Sequence, residues 1–170
     1  ARNVVMKWGI YQVADRNVSV EQMCDRALLA ARSIKGRYGT YFAAYDDELR
    51  NRLLREQAIT DSMEPALAKK EFEVYLQPKY RIRDHRLSGA EALVRWKHPV
   101  WGFRSPGEFI PLFEQNGFIT KLDQYVWERA ASVLREWDNR GYPPIPVSVN
   151  VSRADIYHKD LADMLLGIVR

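Results

Sequence analysis

Hydrophobic positions along this chain follow two periods, one near 3.6 and one of two. Residues 4–13, VVMKWGIYQV, are rich in β-branched and aromatic side chains and predict a strand. The next segment, VSVEQMCDRALLAARSI, places Met23, Ala27, Ala30 and Ile34 at helical spacing, with Ser19 and Gln22 set to form a capping box. KGRYG stops that helix, and TYFAAYD predicts a second strand, giving a β–α–β fragment over residues 4–46. Residues 47–70 are charged and helical in pattern, with Leu49, Leu53 and Leu54 as the apolar stripe. Pro65 there suits the first turn of a further short helix. This stretch reads as a helical connector whose plainest role is a solvated linker.

The texture changes at residue 71. EFEVYLQPKYRI alternates strongly and predicts a strand with Pro78 near its end. Asp84-His85 supplies a turn, and RLSGAEALVRW is the return strand. In SPGEFIPLFEQNG, Ser105 caps, Pro106 takes the first helical position, Glu108 closes the box and Asn116-Gly117 ends the helix. TKLDQYVWERAASVLREWDNRG predicts a long amphipathic helix, with Thr120 and Asp123 as its start box and Gly141 past its end. PVSVNVS predicts a strand and DLADMLLGIVR a further helix. Strands alternating with helices predict the α/β class, as a parallel sheet or barrel.

Strand parity then sorts the side chains. In residues 89–96, Gly89, Glu91, Leu93 and Arg95 share one face, and Ala90, Ala92, Val94 and Trp96 share the other. In residues 147–152, Val147, Val149 and Val151 oppose Ser148, Asn150 and Ser152. In residues 72–77, Phe72, Val74 and Leu76 oppose Glu73, Tyr75 and Gln77. A strand covered on both faces is apolar throughout. Three strands with a polar row each instead predict a barrel whose inward row builds a site, with Glu91, Arg95, Asn150 and Gln77 converging. Glu91 and Asn150 offer the hard oxygen donors that suit Mg²⁺ or Mn²⁺, and the planar fork of Arg95 suits a phosphate. Taken alone, the residues leave a second reading open, in which Glu91 pairs with a nearby cation and Asn150 satisfies a loop.

Charge changes this picture little. The net charge is +4, of which residues 1–70 carry +3 and residues 71–170 carry +1, with no concentrated basic stripe. That pattern argues against a nucleic-acid partner and suits an anionic small ligand. One cysteine, Cys24, excludes an internal disulfide and points to a reducing, cytoplasmic setting. No apolar run approaches the length of about 18 residues that a membrane span needs, and the first ten residues are not a signal peptide. The chain opens as a strand entered in mid-domain and closes on a helix, so the expectation is a piece of a longer protein. That parent leaves room for a membrane anchor and a membrane sensor domain.

Four ordered blocks, YLQP (75–78), GAEALVRWKHP (89–99), PGEFIPLFEQNGFITKLD (106–123) and VSVNVS (147–152), together resemble the EAL domain, a family of cyclic di-GMP phosphodiesterases. The resemblance implies a partial TIM-like (β/α) barrel with one antiparallel strand, over residues 71–170. It implies that Glu91 and Asn150 are catalytic metal ligands for Mg²⁺ or Mn²⁺, and that Gln77, Leu93, Arg95 and Pro106 contact cyclic di-GMP. Glu114, in FE where the family has AE, is left without a role. Residues 1–46, with WGIY, CDRALLAARSIKGRYG and YFAAYDDELR, resemble the C-terminal end of a GGDEF domain. The GGDEF signature itself is absent from the chain, so no cyclase activity is implied.

The EAL resemblance further implies hydrolysis of cyclic di-GMP to pGpG by a two-metal mechanism. The family's later blocks, among them the paired aspartates of DDFG, are not found in the chain, so these 170 residues are expected to be inactive alone. Two other classes are carried beside the enzyme: a catalytically inactive cyclic di-GMP receptor, and an interaction scaffold. A homodimer through the EAL domain or the connector is compatible with each.

Overall fold

The computed structural model describes residues 5–169. The chain divides into two compact units, residues 1–58 and 59–170. In the first, β1 (Trp8–Tyr11) and β2 (Phe42–Tyr45) pair in parallel, joined by α1 (Val20–Ser33). This is the β–α–β fragment that the pattern predicts, with β1 trimmed at both ends and residue 4 outside the described residues. Ser19 Oγ accepts from the Gln22 amide at 3.3 Å, which is one half of the expected capping box. Gly9 lets α1 lie directly on β1, because a Cβ there would sit 1.7 Å from the Ala27 carbonyl oxygen. Arg26 covers the end of the unit, donating to the Tyr11 hydroxyl at 2.7 Å with its guanidinium over the Tyr11 and Tyr45 rings.

A single helix, α2 (Asp47–Ala68), follows, opened by Asp46 Oδ1 accepting from the Leu49 amide at 2.7 Å. Pro65 lies inside this helix and does not start a second one. It falls in the last turn, where its missing N–H removes one hydrogen bond from the ladder with little helix left beyond it to disrupt, and Ile59 and Ala66 on the same helix are buried in the core of the second unit.

The second unit is built on a hairpin. β3 (Phe72–Tyr80) and β4 (Leu87–His98) are antiparallel, with Phe72 opposite Trp96 and Gln77 opposite Glu91. The turn is made by Asp84, whose Oδ1 accepts from the Arg86 amide at 3.2 Å, and by His85 with φ of 53°. A strand that alternation does not reveal, β5 (Gly102–Arg104), folds back on the far end of β4. Three residues are too few to display a period. Then come α3 (Pro106–Asn116), α4 (Ile119–Asn139), β6 (Val147–Ser148), α5 (Arg153–Ile156) and α6 (Leu161–Val169). At the start of α3 the Ser105 amide donates to Glu108 Oε1 at 3.2 Å, and Gly117 ends the helix at φ 80°, a left-handed conformation that glycine adopts without a Cβ penalty. β6 runs parallel to β4, Val147 against Ala90 and Ser148 against Glu91, so β4–α3–α4–β6 is a parallel crossover. The predicted strand over 146–152 thus pairs over only two residues.

The core lies on the helix side of this sheet. Phe72, Trp96, Phe109, Phe113 and Leu122 are fully buried, with Trp96 centred 5.1 Å from Phe72 and 5.6 Å from Phe109 in tilted and edge-on contacts. The parity assignment holds along most of β4: Ala90, Ala92 and Trp96 are buried and Glu91, Leu93 and Arg95 partly exposed, but Gly89 on the polar row is buried and Val94 on the packing row is partly exposed.

Candidate functional site

Because β4 is flanked by β3 on one side and β6 on the other, its polar row meets polar positions from both. Glu91 stands between Gln77 on β3 and Ser148 on β6. Asn150, two residues beyond Ser148, brings its carboxamide to 3.5 Å from Glu91 Oε1. The other carboxylate oxygen, Oε2, faces the ammonium of Lys79 at 3.3 Å, and that ammonium also donates to Ser148 Oγ at 2.7 Å. Glu91, which the sequence leaves as a carboxylate without a visible partner, is therefore held by a cation and an amide, with its side chain one-third exposed.

β6 pairs with the start of β4 and β5 with its end. Alongside the intervening residues 92–95 opens a cleft of about 240 Å³. Leu93 and Arg95 line it from β4, Pro106 and Glu114 from α3, Asp123 from α4 and Asn150 from the segment after β6. A second hollow of about 440 Å³ shares Glu114, Ile119 and Ser152 with it. Four of the six residues singled out from sequence thus surround one cleft. Gln77 and Glu91 do not line it, and stand together on the sheet face beside it. Arg95 Nη1 donates to the Val94 carbonyl at 2.9 Å, leaving the rest of the guanidinium fork for an anion in the cleft.

The cleft also holds an acid that the motif reading misplaces. Asp123 is not the start-box residue of α4, since the helix already begins at Ile119, and Thr120 donates to the Gly117 carbonyl. Instead Asp123 is buried, and its Oδ2 accepts from the Ser152 amide at 3.1 Å. Asp155, itself buried, accepts from the same amide at 3.3 Å and from Ser152 Oγ at 2.5 Å. Burial, first, and then the hydrogen bond and negative charge of Asp155 push the Asp123 carboxyl up to about 7, against a smaller opposing effect of the Ser152 donors. Two carboxyl groups can share a hydrogen bond only if the pair keeps a proton between them. One turn along α4, Trp127 Nε1 donates to the Asn150 carbonyl at 2.9 Å. Helical spacing carried this signal, because Leu122, Asp123, Val126, Trp127 and Ala130 form one buried stripe with an acid in it.

Glu91 and Asn150 suit a hard divalent cation as two oxygen-bearing side chains, provided the carboxamide turns its oxygen toward the ion. Among the described residues no cluster of three or more His, Cys, Asp or Glu is placed to hold a metal, so the pair fits as part of a ligand set and not as a whole one. Among the described residues, too, no helix is long and apolar enough to cross a membrane.

Residues 60–170 match the EAL domain family. The protein Rv1357c of Mycobacterium tuberculosis, uncharacterized, is 37% identical over 124 residues, 72% of this chain and 40% of that protein. The cyclic di-GMP phosphodiesterase PA2567 of Pseudomonas aeruginosa is 32% identical over 149 residues, 87% of this chain and 25% of that protein. Among solved structures, the PaMucR phosphodiesterase in complex with cyclic di-GMP superposes with a TM-score of 0.62 at 29% identity, covering 66% of this chain and 45% of that one. The chain spans no more than 40% of the length of these two curated relatives.

Proposed function

The chain belongs to the EAL domain family, and from that premise we propose that the protein containing it hydrolyses cyclic di-GMP to pGpG in bacterial second-messenger signalling. The observation that carries this reading is the meeting of Glu91 and Asn150, 59 positions apart in sequence and 3.5 Å apart in space, beside a cleft lined by Leu93, Arg95 and Pro106. Glu91 and Asn150 are the residues that would hold Mg²⁺ or Mn²⁺. When bound, such an ion supplies charge neutralisation at the scissile phosphate and lowers the pKa of a coordinated water. The chain's own residues do the rest. Arg95 binds a phosphate oxygen of the ligand, Leu93 and Pro106 offer apolar contact to it, and Gln77 faces it from the neighbouring strand.

The domain reading supported by the β1–α1–β2 topology and by the motifs is a C-terminal GGDEF-like piece over 1–46, a helical connector over 47–70 and the first part of an EAL barrel over 71–170. With two oxygen ligands for a two-metal reaction, the 170 residues alone hold a divalent ion weakly and turn nothing over.

The test is pGpG formation by the longer protein with Mg²⁺ or Mn²⁺. Turnover that is lost in Glu91→Ala supports the reading; an unsubstituted protein that makes no pGpG with either ion sinks it. A second reading, a receptor that binds cyclic di-GMP without cleaving it, is favoured by the Lys79 ammonium that already occupies Glu91 Oε2. Calorimetric binding without pGpG formation is its signature.

A further inference from the structure

The side chain of Asn150 projects from a segment that the sheet does not hold. The pairing of β6 with β4 ends at Ser148, and residues 149–152 continue without a ladder to β4. Two side chains of α4 take over. Trp127 Nε1 donates to the Asn150 carbonyl at 2.9 Å, and Asp123 Oδ2 accepts from the Ser152 amide at 3.1 Å. They lie four residues apart, so one helix face presents a donor and an acceptor to a C=O and an N–H two residues apart on the facing segment. Both side chains are buried, at 3% and 9% exposure, which shields these hydrogen bonds from competing water. Asp155 fixes the same point as well, accepting from Ser152 Oγ and, at 3.3 Å, from the Ser152 amide.

We propose that Asp123 and Trp127 are positioning residues, a two-point clamp that holds residues 150–152 against α4 and so sets where the Asn150 carboxamide stands relative to Glu91 and the cleft. The proposal deepens the reading of Asn150 as a ligand-bearing residue and rests on it. Asp123 and Asp155 thus converge on one backbone donor, the Ser152 amide. Ionisation would set two buried negative charges side by side and loosen the segment. The charged groups around Asp123 are Asp155 on α5, Glu114 on α3 and Arg95 on β4 across the shared cleft, and Arg153 at the adjoining hollow. Asp155 is the one that shares the Ser152 amide with it.

The clamp has a readout independent of catalysis. In ¹⁵N spectra of the 170-residue chain, the Ser152 amide and the Trp127 indole N–H are expected to be protected from exchange, and Ser152 protection is expected to fall as pH rises through neutrality. Asp123→Asn keeps an acceptor for Ser152 and a donor for Asp155 at every pH, so it should keep the protection and remove its pH dependence. Asp123→Ala should lower the Ser152 protection without abolishing it, because Asp155 Oδ2 remains as an acceptor for that amide, and Trp127→Phe, which deletes the N–H together with part of the indole ring, should shift the Asn150 side-chain amide signals.

In the longer protein, Asp123→Ala and Trp127→Phe should lower kcat or Mn²⁺ affinity by about 10- to 100-fold, the usual effect of losing a group that orients a ligand. KM should change little, and Asp123→Asn should restore the activity. The proposal is overturned if Asp123→Ala and Trp127→Phe leave the Ser152 and Asn150 signals unmoved, or if Asp123→Asn is as damaged as Asp123→Ala. Should the unsubstituted protein make no pGpG while the exchange pattern holds, the phosphodiesterase reading fails and the clamp stands.

Discussion

Lys79 places its ammonium 3.3 Å from Glu91 Oε2, on the sheet face where Asn150 approaches the other oxygen of the same carboxylate. A metal ion at Glu91 must share or displace that charge. The Lys79 side chain is about half exposed, so the pair is worth no more than about 1 kcal/mol. Lys79→Met is therefore expected to tighten Mn²⁺ binding by at most about fivefold, read by electron paramagnetic resonance of free Mn²⁺. Weaker Mn²⁺ binding in that variant would show that Lys79 supports the site and does not compete for it.

Arg95 reaches the cleft with a planar fork that a lysine cannot reproduce. Charge-assisted hydrogen bonds contribute about 1.5–3 kcal/mol, so Arg95→Lys should weaken cyclic di-GMP binding by about 10- to 100-fold. Calorimetry on the longer protein reads this directly. An unchanged affinity removes Arg95 from the set of ligand contacts.

Asp123 makes stability depend on pH with a sign opposite to that of a salt-bridged acid. Its carboxyl is raised to about 7 in the folded chain and is near its ordinary value of about 4 when unfolded. Between these values the native state binds more protons than the unfolded state, so stability falls as pH rises through that window and levels off above it. Urea midpoints of the chain and of Asp123→Asn, compared from pH about 4 to about 8, should converge at the acid end and separate as pH rises. Parallel profiles would contradict the shared proton.

Trp96 has no exposed surface and touches Phe72, Phe109 and Phe113. Trp96→Ala removes the centre of that cluster and should cost about 3–5 kcal/mol, measured by urea unfolding of the second unit. A loss below about 1 kcal/mol, the scale of a tolerated core swap, would mean that the cluster repacks around the gap.

Gly9 is the tightest approach in the first unit, with the Ala27 carbonyl in the space of its absent Cβ. Gly9→Ala should force α1 off β1 at a cost of at least about 1–3 kcal/mol. Hydrogen exchange should then accelerate over residues 8–45 and stay unchanged over the β3–β4 hairpin. Equal acceleration in both regions would show that the two units unfold together.

Much of this molecule is written in short-range pattern. The parity of GAEALVRW already separated Glu91 and Arg95 from Ala92 and Trp96, because successive strand residues point to opposite faces wherever the strand ends up. The ends of α3 were equally legible, since Ser105, Pro106, Glu108 and Gly117 act within one helical turn of themselves. Pro65 and Asp123 misled for a related reason: the same local rules allow a proline to start a helix or to sit in its last turn, and an acid to cap a helix or to be buried on its apolar face. Which option applies depends on what packs against it.

By itself, then, the sequence determined the α/β class, the hairpin, the crossover helices and the face on which Glu91 lies. These are set by propensity, period and capping, all of which act between near neighbours in the chain. Only the tertiary structure decided that β6 pairs with β4 over two residues and not elsewhere, that Lys79 stands as the partner of the Glu91 carboxylate, that Gln77 and Glu91 lie beside the cleft and not in its lining, and that Asp123 and Asp155 are buried around one amide. Those facts are set by which strand edges join and by which groups are taken out of water together, and neither has a period along the chain.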